Sequence, residues 1–312
     1  MDSNYTTVTI IMATYNRAHF IVETLHSIQN QTFKNFECLI IDDGGTDDTL
    51  QVINPILNED TRFQFLKRSV NYTKGLPGCR NFGLDIAKGE YIIFFDDDDI
   101  VHPQNLELCV SELMNSNYDF CRYKRSVFFK DFDYKFDSKV NFEKFEITVN
   151  DIRKIINGRL PFNSCAVMWT KNCFDNNRFV ESLMYAEEWE LYVRLLTENI
   201  KGVSIEKTLF YGRKHEQSNT GEFWLGDPIR VQSKKEAIVL ILENLVNKKL
   251  LTPYLLKYLT SLAISFRDIS LLRKLLKTAR PSKQRISFIQ MKFYLFPIWK
   301  FYMRNIKKIK TN

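Results

Sequence analysis

A chain of 312 residues with 45% hydrophobic residues has the apolar material for one large domain or two smaller ones, which excludes global disorder. Its six cysteines (Cys38, Cys79, Cys109, Cys121, Cys165 and Cys173) form no CxxC pair and no zinc or disulfide spacing, so buried, reduced thiols are expected. The net charge of +7 is uneven: residues 269–312 hold twelve Lys/Arg and no Asp/Glu, leaving the rest of the chain at −5. That pattern points to a local partner of the tail and, with no nucleic-acid motif present, away from nucleic acid.

The opening "MDSNYTTVTIIMATYN" lacks the basic and apolar regions of a secretory signal. No run of about 18 uncharged apolar residues follows, so no transmembrane helix is expected. A cytoplasmic protein, peripheral at the inner membrane face if the tail meets lipid, is the corresponding expectation.

In chain order, "VTIIMA" (8–13) predicts a strand and "HFIVETLHSIQNQ" (19–31) a helix with Phe20, Leu25 and Ile28 on one stripe. "FECLIID" (36–42) is a second strand. "TDDTLQVINPIL" begins a second helix, with Thr46 as its expected N-cap and Asp47 and Asp48 in the first turn. "FQFLKR" is a third strand, "GLPGCRNFGLDIAKG" a third helix ending at Gly89, and "YIIFF" a fourth strand. "PQNLELCVSELMN" is a fourth helix opened by Pro103. Residues 121–145 read as strands and loops, "AVMWT" (166–170) as a strand and "AEEWELYVRLLTEN" (186–199) as a helix. Strand-like "GVSI" and "TLFYGR" follow, and the chain after Asp227 reads as helical to its end.

Strands separated by helices predict parallel βαβ units, and near-continuous apolar strands predict a sheet covered on both faces. Ligands of such sheets lie at the carboxyl ends of the strands. The first, second and fourth strands end in "TYNR", "DDGG" and "DDDD", so three polar clusters converge on one sheet edge. Four adjacent carboxylates, Asp96 to Asp99, need compensation. A divalent cation supplies it, since Mg²⁺ and Mn²⁺ prefer oxygen ligands. A solvated acidic loop or a helix N-terminus before Pro103 is the alternative. In "IIDDGGTDDT", a carboxylate after Asp42 can accept a bond from a base N–H, while Gly44 and Gly45 let the backbone turn. Tyr15 offers a ring to a base, and Arg17 a guanidinium to phosphate.

The ordered set "TYNR", "IIDDGGTDDT" and "GCRNFGLDIAKGEYIIFFDDDD" resembles family 2 of the inverting glycosyltransferases over about residues 6–220. The resemblance implies the GT-A fold: an α/β, Rossmann-like, mostly parallel central sheet flanked by helices. That domain would cover residues 1–225, with a nucleotide-binding half to about 120 and an acceptor-binding half beyond it. A helical, basic extension would occupy 226–312. It further implies that Tyr15 lies against the nucleotide base and that Asp43 accepts a hydrogen bond from it. Thr14, Asn16, Arg17 and Arg80 would belong to the same nucleotide site. Asp98 would ligate Mn²⁺ or Mg²⁺ bridging the donor diphosphate, with Asp96 and Asp97 holding the ribose and supporting the metal. Asp99 would cap the next helix. Two positions depart from the family: Gly45 stands where Ser is frequent, and Ala13 where Thr or Ser is common.

Inverting transfer also needs a base for the acceptor hydroxyl and charge stabilisation for the leaving diphosphate. By resemblance, "YAEEWELYVRL" supplies the base at Glu188, with Glu187 as the second candidate. "YGRKHEQSNT" supplies His215, reaching the metal or the diphosphate, beside Arg213, Lys214 and Ser218. Arg194 and Trp189 are expected to pack and pair. The tail "FIQMKFYLFPIWKFYMRNIKKIK" (288–310) mixes aromatics with cations, which suits either a membrane interface or a docked helix with a solvated basic face. The implied partners are a nucleotide-sugar donor, UDP-linked first, and a saccharide or lipid-linked saccharide acceptor in surface polysaccharide or glycan synthesis. A sugar-phosphate nucleotidyltransferase is the alternative, but "ATYNRAHF" lacks the glycine-rich phosphate loop it needs. A non-catalytic nucleotide-sugar-binding module is the third reading.

Overall fold

The computed structural model describes the backbone of residues 6–214 and 219–310, and the side chains of 6–214 and 220–297. Two compact units divide it, Met1–Lys234 and Lys235–Asn312.

In the first unit, β1 (Val8–Thr14), β2 (Phe36–Asp42), β3 (Phe63–Lys67) and β4 (Tyr91–Phe95) form a parallel sheet in the order β3-β2-β1-β4. Alternate side chains of β1 face opposite layers. Val8, Ile10 and Met12 share a core with Ile21, Leu25 and Ile28 of α1 (Ile21–Gln29) and Ile53 and Ile56 of α2 (Thr49–Glu59). On the other face, Leu39 and Ile41 pack with Cys79, Phe82 and Ile86 of α3 (Leu76–Ile86). The sheet is therefore covered on both sides, as its apolar strands require. Gly83 lets α3 approach β1 closely: a Cβ there would lie 2.5 Å from Ile11 Cγ2.

Beyond β4 the sheet becomes mixed. The order continues to β8 (Val167–Thr170), β6 (Phe120–Phe129), β9 (Gly202–Lys214) and the two-residue β5 (Ile100–Val101), with β7 (Lys144–Ile147) also on β9. β8 runs antiparallel to β4 and β6, while β6 and β9 run parallel. "GVSI" and "TLFYGR" are parts of this single strand β9. The remaining helices of this unit include α4 (Asn105–Met114), α5 (Ile152–Ile156), α6 (Glu187–Leu196) and α7 (Asn219–Leu225).

Three expected boundaries move. α2 starts at Thr49 after N-cap Asp48, not after Thr46. The Asp47 carboxylate takes both the N–H and the hydroxyl of Thr49, at 3.0 and 2.5 Å, so the turn closes later than expected. α3 stops at Ile86 rather than Gly89, because side chains of the sheet capture the chain. Lys88 N–H donates to Glu37 Oε1 and Gly89 N–H to Thr9 Oγ1, both at 2.8 Å. α4 begins at Asn105, after Gln104 N–H has donated to His102 Nδ1 at 3.0 Å.

α8 (Pro228–Asn247) leads into the second unit, where α9 (Pro253–Ser265) packs with α10 (Ile269–Ala279) and α11 (Lys283–Lys310). Thr252 and Asp268 cap α9 and α10 through the N–H groups of Leu255 and Leu271. Among the described residues, no helix is long and apolar enough to cross a membrane.

Candidate active site

The parallel registers place the ends of the strands together. Thr14 pairs with Asp42, and Met12 with Phe95. Asp43 N–H donates to the Thr14 carbonyl at 2.9 Å. The three polar clusters thus open onto one cavity of about 880 Å³, whose lining includes Tyr15, Asp43, Asp96, Asp98, Glu188 and Lys214. Thr14, Asn16, Arg17, Arg80, Asp97 and Glu187 line it too. His215 and Ser218 lie outside the described residues.

The "DDGG" loop is braced from below. Gly44 turns at φ +88°, and Gly45 N–H donates to Asp42 Oδ1 at 2.9 Å. Asn16, itself left-handed at φ +54°, accepts the N–H groups of Thr46 and Asp47 on its amide oxygen at 2.8 and 3.2 Å. The Asn16 side chain therefore holds the loop. Asp43 accepts from Arg68 Nε at 2.6 Å and from Gly75 N–H at 3.1 Å. Both contacts use Oδ1. Tyr15 is 46% exposed, with Lys74 Nζ 4.7 Å from its ring centroid.

The four aspartates divide by environment. Asp96 is half-exposed and bonds Arg80 Nη2 at 3.2 Å. Asp97 is buried and faces Arg17 Nε at 3.4 Å. Burial, then the charge of Asp98, pushes the Asp97 pKa up to about 7, against the Thr14 hydroxyl and Arg17. Asp98 lines the cavity, and its carbonyl accepts from Arg213 Nε at 2.9 Å. Asp99 does not cap α4. The strand β5 intervenes, and Asp99 is buried, accepting Arg213 N–H at 2.6 Å with Arg125 Nη2 at 3.8 Å. Burial, then Asp98 and Asp96, raises its pKa well above the ordinary carboxylate value.

Three ligand atoms, from Asp96, Asp99 and Cys165, lie within 4.8 Å of one another. Burial raises the Cys165 thiol pKa, and a neutral thiol is a poor donor to a hard cation. The carboxylate oxygens that line the cavity, those of Asp96, Asp98 and Asp99 among them, are donors of the kind that Mn²⁺ or Mg²⁺ prefers.

α6 brings the second pair of carboxylates. Its N-cap, Ala186, is left-handed at φ +65°, and Glu187, Glu188 and Glu190 fill its first turn. Glu190 pairs with Arg194 at 2.8 Å, whose Nη2 also donates to the Arg178 carbonyl, so Arg194 is a packing and pairing residue as expected. Glu187 is buried against Arg80 Nη1 at 3.4 Å. Its pKa is pushed up to about 8 by burial, then by Glu188, with Arg80 opposing. Glu188 is the less buried of the two. Lys234 stands beside them, its Nζ 3.6 Å from the Trp189 ring centroid. Desolvation lowers the Lys234 pKa to about 8, against Glu188 and Glu187.

Two arginines of the cavity wall already have partners. Arg213 is nearly buried, and its guanidinium is engaged by Glu23, the Lys130 carbonyl and the Asp98 carbonyl. It braces β9 against the aspartate turn. Arg80, 2% exposed, joins Asp96 to Glu187 from within the cavity wall. Lys74, Arg125 and Tyr185 line the cavity though the motifs did not reveal them, and Lys234 lies near the α6 carboxylates. Only their three-dimensional neighbours distinguish them from ordinary surface residues.

The profile of Glycosyl transferase family 2 matches residues 9–174, more than half of the chain. The chain belongs to this family. It is 49% identical over 92 residues to UDP-Glc:alpha-D-GlcNAc-diphosphoundecaprenol beta-1,3-glucosyltransferase WfaP of Escherichia coli, covering 30% of this chain and 35% of that one. S. aureus TarS 1–349, solved with UDP-GlcNAc, superposes with a TM-score of 0.65 at 21% identity, covering 83% of this chain and 73% of that one. Mannosyltransferase PcManGT from Pyrobaculum calidifontis, solved with GDP-Man and Mn²⁺, gives 0.57 at 13% identity, covering 97% and 83%. These likenesses establish the GT-A fold for this family 2 chain. The chain spans 27% to 49% of the length of the first five curated relatives it matches.

Proposed function

We propose that this family 2 chain is an inverting, divalent-metal-dependent glycosyltransferase. It would move a sugar from a nucleotide donor, UDP-linked by first choice, to a hydroxyl of a saccharide or lipid-linked saccharide in surface polysaccharide synthesis. One observation carries the reading: a single cavity holds Tyr15 and Asp43, the Asp96–Asp98 turn and the α6 carboxylates. The printed activity of the WfaP relative, on a diphosphoundecaprenol-linked sugar, supports the acceptor class.

In this reading Tyr15 packs on the base, and the Asp43 carboxylate accepts its N–H. Asp96 and Asp98 hold the cation, with His215 as the further candidate ligand. When bound, the cation neutralises charge on the donor diphosphate. Lys214 and Lys74, both on the cavity, add positive charge for the leaving group. Glu188 takes the proton of the acceptor hydroxyl as its oxygen attacks the anomeric carbon. The new C–O bond forms as the bond to the diphosphate oxygen breaks, and the nucleoside diphosphate departs with that electron pair. Attack opposite the leaving group inverts the anomeric centre. Glu187 is the poorer base, because it is buried and already faces Arg80.

The test is a panel of UDP-, GDP- and dTDP-sugars, with and without Mn²⁺, in the presence of polyprenyl-diphosphate saccharides. Metal-dependent release of nucleoside diphosphate from one donor, with a β-linked product from an α-linked donor, is the expected result. Retention of configuration, or turnover indifferent to chelator, overturns it.

A further inference from the structure

The last helix turns an apolar stripe outward. α11 packs against α9, with Ile289 buried and Arg285 Nη2 donating to the Pro253 carbonyl at 3.3 Å. Away from that contact, Phe288, Met291, Tyr294 and Leu295 are 49% to 64% exposed. Positions 288, 291 and 295 follow the three- and four-residue spacing of one helical stripe, and Tyr294 borders it. Four large apolar side chains on one face of one helix mark a contact surface.

Charge selects the occupant. Residues 283–310 contain eight Lys/Arg and no Asp/Glu. Lys292 Nζ sits 4.3 Å from the Phe288 ring centroid, so a cation borders the stripe directly. A second copy of the same helix would bring like charges together, which disfavours self-pairing. An anionic bilayer surface satisfies both features. Apolar side chains enter the acyl boundary while lysines reach back to the phosphates. The stripe is too short and its flanks too charged for a span, in keeping with the absence of a membrane-crossing helix among the described residues.

We propose that the face of α11 bearing Phe288, Met291, Tyr294 and Leu295 docks this chain in the plane of an anionic lipid surface. The inference deepens the proposed function, because a lipid-linked acceptor lies in such a surface. It rests on that reading for its purpose but not for its test, which measures binding and not transfer.

The experiment is flotation of the full chain with vesicles of phosphatidylcholine alone or mixed with phosphatidylglycerol. Binding is expected only to the mixed vesicles and should fall as salt rises. F288S/M291S/L295S should lower partitioning by at least about tenfold. K283E/K292E should lower it by at least about fivefold for each charge reversed. Unchanged thermal unfolding checks the fold of each variant; the charge variant carries the test alone if the triple variant fails to fold. D98A should float like the parent, so failure of the catalytic reading leaves this one standing. Three results overturn the proposal: no binding of the parent, equal binding to both vesicle types, or variants that float like the parent. A concentration-dependent dimer lost in the triple variant, with no vesicle binding, overturns it in favour of self-association.

Discussion

Glu187 and Glu188 are adjacent in sequence and differ in what surrounds them. Glu187 is buried and opposed by Arg80, whereas Glu188 lies nearer solvent on the cavity. Replacing Glu188 by Gln keeps its shape and removes its basicity. E188Q should retain nucleotide binding and lose about 10²- to 10⁴-fold in transfer rate, measured as product formed at saturating donor. A fully active E188Q would move the base to Glu187 or elsewhere. Lys234 gives a stability prediction with a definite sign. Its pKa falls from 10.5 to about 8 in the fold. The folded state thus prefers the neutral amine. The resulting stabilisation is complete above the unfolded pKa and is lost as pH falls through the folded one. Comparing the parent with K234M by denaturant unfolding, the difference should move in the parent's favour between pH 8 and 10.5. The slope should be at most about 1.4 kcal/mol per pH unit. A flat difference across that window would show that Lys234 keeps its ordinary pKa.

Among the elements, α3 joins the aspartate turn to the α6 carboxylates. Arg80, on its first turns, bonds Asp96 at the end of β4 and Glu187 at the start of α6. Its guanidinium also lies 5.5 and 5.4 Å from the ring centroids of Phe94 and Phe179. R80M should cost about 1–3 kcal/mol, because it leaves the buried Glu187 carboxyl without its hydrogen-bond donor. A double-mutant cycle with E187Q reads the coupling of the two side chains directly. Additive costs would mean that the two side chains act independently. Strands β1, β2 and β4 were legible in the sequence because each is a buried apolar run, a purely local signal. Helix ends were less so. Thr46 looked like a cap, but Asp47 captured Thr49 first, and α3 ended where Glu37 and Thr9 of neighbouring strands took its N–H groups. Caps made by distant side chains leave no local pattern.

At the scale of the whole chain, the motif order announced the family and the sheet edge. The pairings that make the edge a site remained hidden. Arg80 and Glu187 are 107 residues apart, and Asp99 and Arg213 are 114 apart. No periodicity encodes such a distance, which is why Asp99 read as a cap and its pairing with Arg213 went unseen. On the proposed function, the same closure would make nucleotide binding a property of the whole first unit, measurable as stability. A ligand that binds only the folded state stabilises it by mass action, about 2.7 kcal/mol at a hundredfold excess over Kd. For a unit of this size that raises the unfolding temperature by roughly 5 °C. UDP with Mn²⁺ should produce this shift in the parent and in E188Q, and UDP with a chelator should produce much less. D98A should lose most of it, since Asp98 faces the cavity where the cation and diphosphate would meet. E188Q and D98A would then be inactive for different reasons, one binding without transfer and the other failing to bind. If UDP stabilises D98A as strongly as the parent, the nucleotide is held without the aspartate turn, and the cation must be sought at other ligands.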